Sequence, residues 1–576
     1  MLEERRIVKQ QPPTDVKRAK YSRLNKQVKV SAKHDEDQWA ANVATKLEAA
    51  ASKSNQREVW ANIRILSKKP KKRTSAVRDK EGNFITDPIK KVQRWKEHFE
   101  ELLNPEVPQD ELPSANCTTE VFSDLPLTPP SIEEIKELLP KLKNYKSPSS
   151  LDNITNEELK YGGEVSCKWL HKIYGNVWVL EQTPTDWIKG VIIILDKKGD
   201  TSHCKNNRGI TLRSTASKLF QMVILKRLDS GLERILRDNQ CGFRKNRSCA
   251  DQLFSLRQMI EASIEYNLPM KINFIDFKAA FDSVRRDYIW QALQHYGLPT
   301  KYINIFGAFY SNTQSAVRVG ETLTDWFDVA FGTGQGDIQA PPLFNVVLNW
   351  AMEQALSEKT ISHGLMLQHR LSSRQPAKYV TDVDYADDLG VVDGTGEGLQ
   401  ESTDLTVVHC RKAGLSVNIP KTQVMSIDKN TSQHPLPEHV CLNIKIDGIL
   451  LEQVTQFIYL GSTIACNGSI DPELNRRISK ASGTFNSLNK VWYNRNMANV
   501  ERPDAETRSV SSILLATNLK NTFLPSCHKQ RCVGESTDYT NQSTCCNESS
   551  KVVWTCRTNG QQQTTKLHPG LDTQTR

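Results

Sequence analysis

Two adjacent carboxylates, Asp387 and Asp388, lie within DYADDLGVV (residues 384–392), whose other residues are mostly apolar. Burying one carboxylate beside apolar side chains is costly, and two neighbouring carboxylates raise each other's pKa. A third acid, Asp276, ends a predicted strand in FIDFKAAFD. Because a strand end and a hairpin tip can lie side by side in one sheet, we expect these acids to converge. Mg²⁺ prefers such a site, with one or two carboxylates plus substrate phosphates.

The simpler interpretation of YADD is a hairpin turn without chemistry, since aspartate is common in turns. The segments around it favour the metal site. FGTGQGDIQAPPLFN (residues 331–345) is a glycine-rich loop followed by an apolar helix, and its glycines permit close approach to a ligand. Gln335 in that loop can hydrogen-bond a base or a sugar. Lys421 lies in a turn before a strand in GLSVNIPKTQVM, and FIYLGSTI predicts a short hairpin strand that ends at Gly461.

The spacing of hydrophobic residues predicts the strands and helices that position these residues. WIKGVIIILDKKGD predicts a β-branched strand and a hairpin, and TASKLFQMVILKRLDSGLERIL predicts a long helix. MKINFIDFKAAFDSV predicts a strand that continues into a helix, and VDYADDLGVV predicts strand, turn and strand. Strands and helices in this order, without regular βαβ units, predict an α+β domain.

The amino-terminal 124 residues are basic and mostly helical in pattern. DQWAANVATKLEAAASKSNQREVWANIRIL predicts one or two amphipathic helices, and Ser131 with Glu134 predicts a capping box on the next helix. A run of cations surrounds Pro70 at residues 68–73. Such a run suits phosphate binding or nuclear import, and equally suits a solvated linker.

Composition narrows the class of protein further. Of the 576 residues, 38% are hydrophobic and 25% charged, which is typical of a globular chain, and the net charge is +10. No apolar run is long enough to span a bilayer, and the first residues lack the apolar core of a signal peptide. The thirteen cysteines show no CxxC pair, which favours free thiols over a disulfide framework or a zinc site. We expect an intracellular protein that does not bind membranes, and the lysine run favours the nucleus.

The ordered set of motifs resembles the reverse transcriptase of non-LTR (LINE-type) retrotransposons, in the jockey, CR1 and RTE neighbourhood. FIDFKAAFDSV, GTGQGDIQAPPLFN and YADD look like the first three palm motifs of that family, and GLSVNIPKTQ and YLGSTI match the fourth and fifth. IIILDKKGDTSHCKNNRGITL and QCGFRKNRSCADQL look like its fingers motifs. The resemblance covers roughly residues 125–495. No endonuclease precedes the polymerase motifs in this sequence, so we expect a chain without that domain.

The resemblance implies a catalytic set and its metals. Asp276 and Asp387 would be the main ligands of two Mg²⁺ ions, with Asp388 supporting the site. Lys421 would donate a proton to the departing pyrophosphate.

It also implies a nucleotide site. Phe281 would be the aromatic gate against a ribose 2′-hydroxyl, and Gln335 and Gly336 would line the incoming nucleotide. Arg208, with Lys197 or Lys198, would hold the triphosphate. Each residue also has an alternative without a catalytic role. Phe281 could be an ordinary core residue, Arg208 and the two lysines a solvated turn, and Lys421 an exposed loop lysine.

The expected fold is therefore a right-hand polymerase. A basic helical extension (1–124) would precede fingers and palm (125–465), a partial thumb (466–500) and a poorly ordered tail (501–576). The expected function is RNA-directed DNA polymerisation, with an RNA template, a DNA primer and dNTPs as partners. Three observations favour an alternative, a catalytically inactive nucleic-acid-binding remnant: Gly334 where many relatives carry arginine, Asp196 near the triphosphate residues, and the polar, Cys-rich tail. An intron maturase or a telomerase is a further alternative with the same palm architecture.

Overall fold

The computed structural model describes residues 2–10, 14–53, 55–67, 76–106, 111–114, 121–148, 151–197, 199–357, 364–368, 378–427 and 441–487. Lys198, the lysine run at 68–73 and the tail beyond residue 487 lie outside these ranges. The expectations for those three segments, and the three boundaries between the four domains, stay predictions. In the described part of the chain, no helix is both long and apolar enough to cross a membrane.

Three helices form the amino-terminal segment, and a small strand pair and a fourth helix follow them. They are α1 (Leu2–Gln10), α2 (Asp15–Ser52), α3 (Gln56–Ser67), β1 (Val77–Arg78), β2 (Phe84–Ile85) and α4 (Pro88–Leu103). Helices α1 and α3 both pack on α2, and apolar residues at helical spacing, such as Val43, Leu47 and Ala50, are buried there. The predicted amphipathic helices are confirmed.

Most of the remaining helices and strands precede the YADD hairpin. They are α5 (Ile132–Leu138), α6 (Asn156–Tyr161), α7 (Gly163–Leu180), α8 (Thr185–Ile188), β3 (Lys189–Asp196), β4 (Asn207–Leu212), α9 (Thr215–Ile235), α10 (Cys249–Glu265), β5 (Met270–Ile275), α11 (Ala280–Ser283), α12 (Arg286–His295), α13 (Thr300–Tyr310), β6 (Gln314–Val319), β7 (Thr322–Leu323), β8 (Phe327–Asp328) and α14 (Ala340–Leu356). Short 3₁₀ turns cover Leu139–Lys141 and Cys204–Asn206. The Ser131–Glu134 capping box at the start of α5 is confirmed.

A short strand pair, the YADD hairpin and the elements after it complete the described chain. They are β9 (Leu365–Gln368), β10 (Lys378–Val380), β11 (Asp382–Tyr385), β12 (Asp388–Asp393), α15 (Gly396–Lys412), a 3₁₀ turn (Ile419–Lys421), β13 (Gln423–Ile427), β14 (Lys445–Ile446), β15 (Ile449–Leu450), β16 (Glu452–Gln453), β17 (Gln456–Tyr459), β18 (Ser462–Ala465) and α16 (Asp471–Ser487). The mixed helix and strand content agrees with the α+β expectation.

Two larger sheets organise the structure. Sheet A has the order β4-β3-β6-β7, with β8 also pairing with β6, and it contains the predicted β-branched hairpin. Sheet B has the order β11-β12-β5-β13-β16. Strand β5 is antiparallel to both of its neighbours, β12 and β13. The strand that leads into Asp276 and the strand after YADD are therefore neighbours in one sheet.

Sheet B is covered on both faces, which explains the nearly continuous apolar sequence of its central strands. On one face, Leu389, Val391 and Val424 join the main core, together with α14 and α15. On the other face, Ile272, Phe274 and Met425 pack in a second core with α10 and the β17–β18 hairpin. Helix α14 is buried along its whole length, and Pro341 and Pro342 start it without breaking a helical hydrogen bond. This rigid double-sided packing holds the strand ends that carry the acids.

Candidate active site

The YADD segment is a tight hairpin between β11 and β12, as predicted. Asp382, Val383, Asp384 and Tyr385 pair with Val391, Gly390, Leu389 and Asp388, and Ala386 with Asp387 forms the turn. Ala386 has a φ of +55°, a left-handed conformation that costs free energy for any residue with a side chain. The turn is therefore a conformation that other parts of the protein must stabilise.

The three predicted metal-binding acids meet at one end of sheet B. Leu389 pairs with Ile275, so Asp388 and Asp276 occupy the next positions along the two paired strands. Burial, the charge of Asp387 and the charge of Asp276 raise the pKa of Asp388 to about 6. Burial and Asp276 also raise the pKa of Asp387, against the opposing effect of Arg208. Although the Asp388 side chain is partly open to solvent, the three carboxylates repel one another.

The loop before β13 is attached to Asp276. Asn418 Nδ2 donates to Asp276 Oδ2 at 2.9 Å, and the Lys421 ammonium lies 3.2 Å from the same oxygen. The Asp276 backbone N–H donates to Thr422 Oγ1 at 3.3 Å. Lys421 therefore lies at the acids, as the motif order predicted, and pairs with one of them. Asn418 was not singled out in the sequence, although it lies within GLSVNIPKTQ.

Two of the predicted triphosphate residues lie at sheet A, and the charge of one of them, Arg208, acts on Asp387. Both Lys197, just after β3, and Arg208, on β4, are exposed. Partial burial, Arg208 and Lys421 lower the pKa of Lys197, while Asp282 opposes that shift. Burial raises the pKa of Asp282 to about 6, although Lys197 and Arg208 oppose it. The charges of Lys197 and Arg208 thus act on the half-buried carboxyl of Asp282, which was not predicted from the sequence.

Phe281 and the glycine-rich loop form the wall between the two sheets. The Phe281 ring stacks on Phe344 of α14 with centroids 4.4 Å apart. Its carbonyl oxygen accepts a hydrogen bond from the backbone N–H of Thr333 at 2.9 Å. Gln335 is half-buried and its carbonyl accepts from the Thr211 N–H, while Gly336 is exposed. Gly336 has a φ of +117°, and a Cβ there would lie 2.7 Å from the Thr211 carbonyl oxygen, so only glycine fits.

Gly334 occupies the position where many members of the resembled family carry arginine. It has a φ of +75°, and a Cβ there would lie 3.0 Å from Asp337 Oδ2 and 3.5 Å from an Arg213 guanidinium nitrogen. Arg213 and Asp337 form a buried ion pair, with 3.1 Å between Nε and Oδ2. The ion pair therefore fills the space in front of Gly334, and the loop has a fixed conformation without a side chain at this position.

A second pair of acids, Asp382 and Asp384 on β11, is compensated by a cation. Both carboxylates contact the guanidinium of Arg237, at 2.8 and 2.7 Å. Burial disfavours the charge of Asp382, yet the Arg237 charge and hydrogen bonds from Asp384, Arg237 and Thr381 together outweigh it and lower the Asp382 pKa. Burial and the adjacent Asp382 raise the Asp384 pKa well above its usual range. Neither these acids nor Arg237 could be found from local pattern, because about 145 residues separate the partners.

The acid cluster fits a magnesium site by its chemistry. Its donors are carboxylate oxygens, the ligands of hard cations. Asp387 and Asp388 form no ion pair with any cation in the described ranges. Among those residues, no three acidic, histidine or cysteine side chains form a complete metal-binding group.

Comparisons with known proteins show which protein sequences the chain is similar to. Residues 195–464 match the family model for reverse transcriptase (RNA-dependent DNA polymerase). The chain is 26% identical over 365 residues to the probable RNA-directed DNA polymerase from transposon BS of Drosophila melanogaster, covering 62% of this chain and 38% of that protein. It is 22% identical over 406 residues to the RNA-directed DNA polymerase from mobile element jockey of the same species (68% and 41%). It is 25% identical over 312 residues to the Pol polyprotein of the type-1 element R2 of Popillia japonica (53% and 40%).

Residues 195–464 are therefore the part of the chain that is similar to reverse transcriptases. Its relatives come from the jockey, BS and R2 elements, so the resemblance to non-LTR retrotransposon reverse transcriptases is confirmed. The chain spans about 40% of the length of these relatives.

Proposed function

We propose that this chain is an RNA-directed DNA polymerase that adds deoxynucleotides to the 3′-hydroxyl of a DNA primer on an RNA template. The observation that carries the proposal is the meeting of Asp276, Asp387 and Asp388 at one end of sheet B, inside a reverse transcriptase domain. In this proposal sheet B is the palm, sheet A belongs to the fingers, and α16 begins the thumb.

The acids would hold two Mg²⁺ ions, mainly through Asp276 and Asp387, with Asp388 in support. When bound, such ions supply Lewis-acid activation of the primer hydroxyl and neutralise charge on the leaving pyrophosphate. The residues of the chain do the rest. Arg208 and Lys197 contact the triphosphate, and Lys421, now paired with Asp276 at 3.2 Å, turns to the pyrophosphate and donates a proton.

Nucleotide selection would depend on the wall between the two sheets. The Phe281 ring stacks on Phe344, and its backbone carbonyl accepts the Thr333 hydrogen bond, so both its ring and its backbone have a packing partner that would keep the ring in place against a 2′-hydroxyl. Gln335 and Gly336 line the nucleotide next to it. The loop is joined to β4, the strand of Arg208, by the Thr211–Gln335 hydrogen bond at 2.9 Å. The sugar and triphosphate positions are thereby linked.

The decisive experiment is dTTP incorporation by the purified full chain on poly(rA)/oligo(dT) with Mg²⁺. We expect incorporation by the parent chain and none by Asp387→Asn. Asp404→Asn, a change at an exposed acid on α15, serves as the matched control and should keep the parent rate. Absence of incorporation by the parent over a range of Mg²⁺ and Mn²⁺ contradicts the proposal. Salt-sensitive binding of the template without incorporation would instead support the inactive remnant.

A nuclear location is part of the proposal, because the lysine run at residues 68–73 suits nuclear import. Imaging a tagged chain, with and without alanines at these five cations, tests it.

A further inference from the structure

The catalytic turn depends on a segment of the chain that lies almost 150 residues earlier. Residues 237–242, here named the clamp segment, follow α9 and run alongside β11. Gln240 forms a parallel bridge with Asp384. The Cys241 N–H donates to the Asp384 carbonyl at 2.9 Å, and the Asp384 N–H donates to the Asn239 carbonyl at 3.1 Å. The clamp segment thus adds a short backbone pairing on the free edge of sheet B, beside the acids.

The side chain of Gln240 reaches the turn itself. Gln240 Oε1 accepts a hydrogen bond from the Ala386 N–H at 2.7 Å, and Gln240 Nε2 donates to the Ala386 carbonyl at 3.4 Å. Ala386 is the turn residue with a φ of +55°. The same Oε1 accepts from the Gly242 N–H at 2.7 Å, so the amide has a fixed orientation. Gln240 is 2% exposed, which makes each of these hydrogen bonds a buried one.

The clamp segment is itself fixed by α14, the helix that follows the glycine-rich loop. Asn345 Nδ2 donates to the Gly242 carbonyl at 2.8 Å, and Asn349 Oδ1 accepts from the Arg237 N–H at 2.8 Å. The clamp segment also packs closely against the turn, since a Cβ at Gly242 would lie 2.2 Å from the Ala386 nitrogen. The segment therefore fills the space between α14 and the turn, without room for another atom.

We propose that Gln240 is a positioning residue for polymerisation: its amide fixes the left-handed Ala386 turn and thereby places Asp387 and Asp388. The physical reason is that the turn conformation is unfavourable by itself and these hydrogen bonds offset its cost. The clamp segment also connects the helix behind the nucleotide loop to the acids, so the two halves of the site share one support. The proposal rests on the proposed function.

The test compares Gln240→Met, which removes all three side-chain hydrogen bonds at nearly constant volume, with Gln221→Met. Gln221 is also buried, but its amide donates to Ser217 within α9, away from the turn. Hydrogen–deuterium exchange of the full chain is followed for residues 382–390. We expect exchange of the Ala386 amide to become about tenfold faster in Gln240→Met, since a buried hydrogen bond is lost. Gln221→Met should leave this amide unchanged.

Polymerisation on poly(rA)/oligo(dT) is the second measurement. We expect kcat of Gln240→Met to fall about 10²-fold, the cost of misplacing a reacting group by about 1 Å. The KM for dTTP should stay within about threefold, because the nucleotide wall is untouched. Gly242→Ala is the second variant, since its methyl group pushes on Ala386 without removing the amide, and it should show the same pattern.

Exchange at the hairpin no faster than in Gln221→Met overturns the proposal, as does faster exchange spread evenly over sheet B. A kcat loss that merely equals the loss in Gln221→Met overturns it too. If the parent chain does not polymerise, the proposed function fails, while the exchange measurement still decides whether Gln240 fixes the turn.

Discussion

One hairpin carries two pairs of aspartates whose environments differ. Asp382 and Asp384 are buried in β11, at 1% and 0% exposure, and both contact the Arg237 guanidinium. Asp387 and Asp388, a few residues further on, form no ion pair with the described residues, and burial and the neighbouring acids raise the pKa of each. The first pair has a permanent counter-charge in the fold. The second pair has no ion-pair partner in the part of the chain that the structure describes, which is the arrangement expected of groups that bind an external cation.

The difference shows how a buried acid can be assigned to folding or to activity. An acid that the protein already neutralises contributes to folding, and removal of its partner should destabilise the fold. An acid that the protein leaves uncompensated destabilises the free chain, and its removal should cost activity alone. The experiments below test this division, beginning with the largest expected effect.

Asp276→Asn should abolish activity without destabilising the protein. We expect dTTP incorporation to fall at least about 10³-fold, because a metal ion contributes several kcal/mol to transition-state charge stabilisation. The midpoint of urea unfolding should change little, since relief of the repulsion with Asp387 and Asp388 offsets the loss of the exposed ion pair with Lys421. A large loss of stability would show that Asp276 belongs to the structural class of acids. Asp404→Asn is the control.

Arg237→Met should have the opposite signature, a loss of stability. It leaves the buried acids of β11 without a partner, which costs about 3–5 kcal/mol of unfolding free energy. Arg247→Met is the control, because Arg247 pairs at 2.7 Å with Asp238, whose side chain is 93% exposed, and such pairs contribute about 1 kcal/mol or less. Urea unfolding followed by circular dichroism measures both. Equal losses in the two variants would contradict the division between compensated and uncompensated acids.

Activity should fall as the pH drops through about 6. Metal ligands must be deprotonated, and the pKa of Asp388 is raised to about 6 in the metal-free chain. We expect initial rates at saturating dTTP to decline about tenfold per pH unit below the midpoint. Higher Mg²⁺ should move that midpoint to lower pH, because the cation competes with the proton. A midpoint independent of Mg²⁺ would assign the titration to another group, such as Asp282.

Asp388→Asn should slightly stabilise the metal-free chain at neutral pH. The folded protein favours the protonated form of a carboxyl whose pKa it raises. Protonated Asp388 therefore adds to the free energy of unfolding below its unfolded pKa, and this contribution is lost as the pH rises through about 6. We expect a gain of about 0.5 kcal/mol, small because solvent screens a partly exposed group. Unfolding in EDTA at pH 7.5 should show the gain, and unfolding at pH 4 should not. An equal gain at both pH values would exclude charge repulsion as its cause.

Much of the local structure could be predicted from hydrophobic period and turn residues. The strand before Asp276, the YADD hairpin, the helix after the glycine-rich loop and the capping box at Ser131 all agree with the structure. The order of the motifs identified the reverse transcriptase domain, which the comparisons confirm. The roles of Phe281, Gln335, Lys197, Arg208 and Lys421 remain predictions, although Lys421 contacts Asp276 and the charge of Arg208 acts on Asp387.

Other parts of the site have no local signal. Asn418 on Asp276 and Asp282 beneath the cations lie inside motifs that the sequence singled out, yet nothing in their spacing assigned them a contact. Arg237 and Gln240 contact β11 and its turn across about 145 residues of chain. Hydrogen bonds and ion pairs between distant segments leave no periodicity in either segment, so hydrophobic pattern cannot reveal them.

The sequence by itself determined which segments are strands, turns and helices, and which acids could bind a cation, because these depend on residues that are neighbours along the chain. Only the tertiary structure decided which aspartates of the hairpin have a counter-charge and which do not. The reason is that compensation depends on the distance to a cation and on exclusion of water, and both are set by how β11, the clamp segment and α14 pack together.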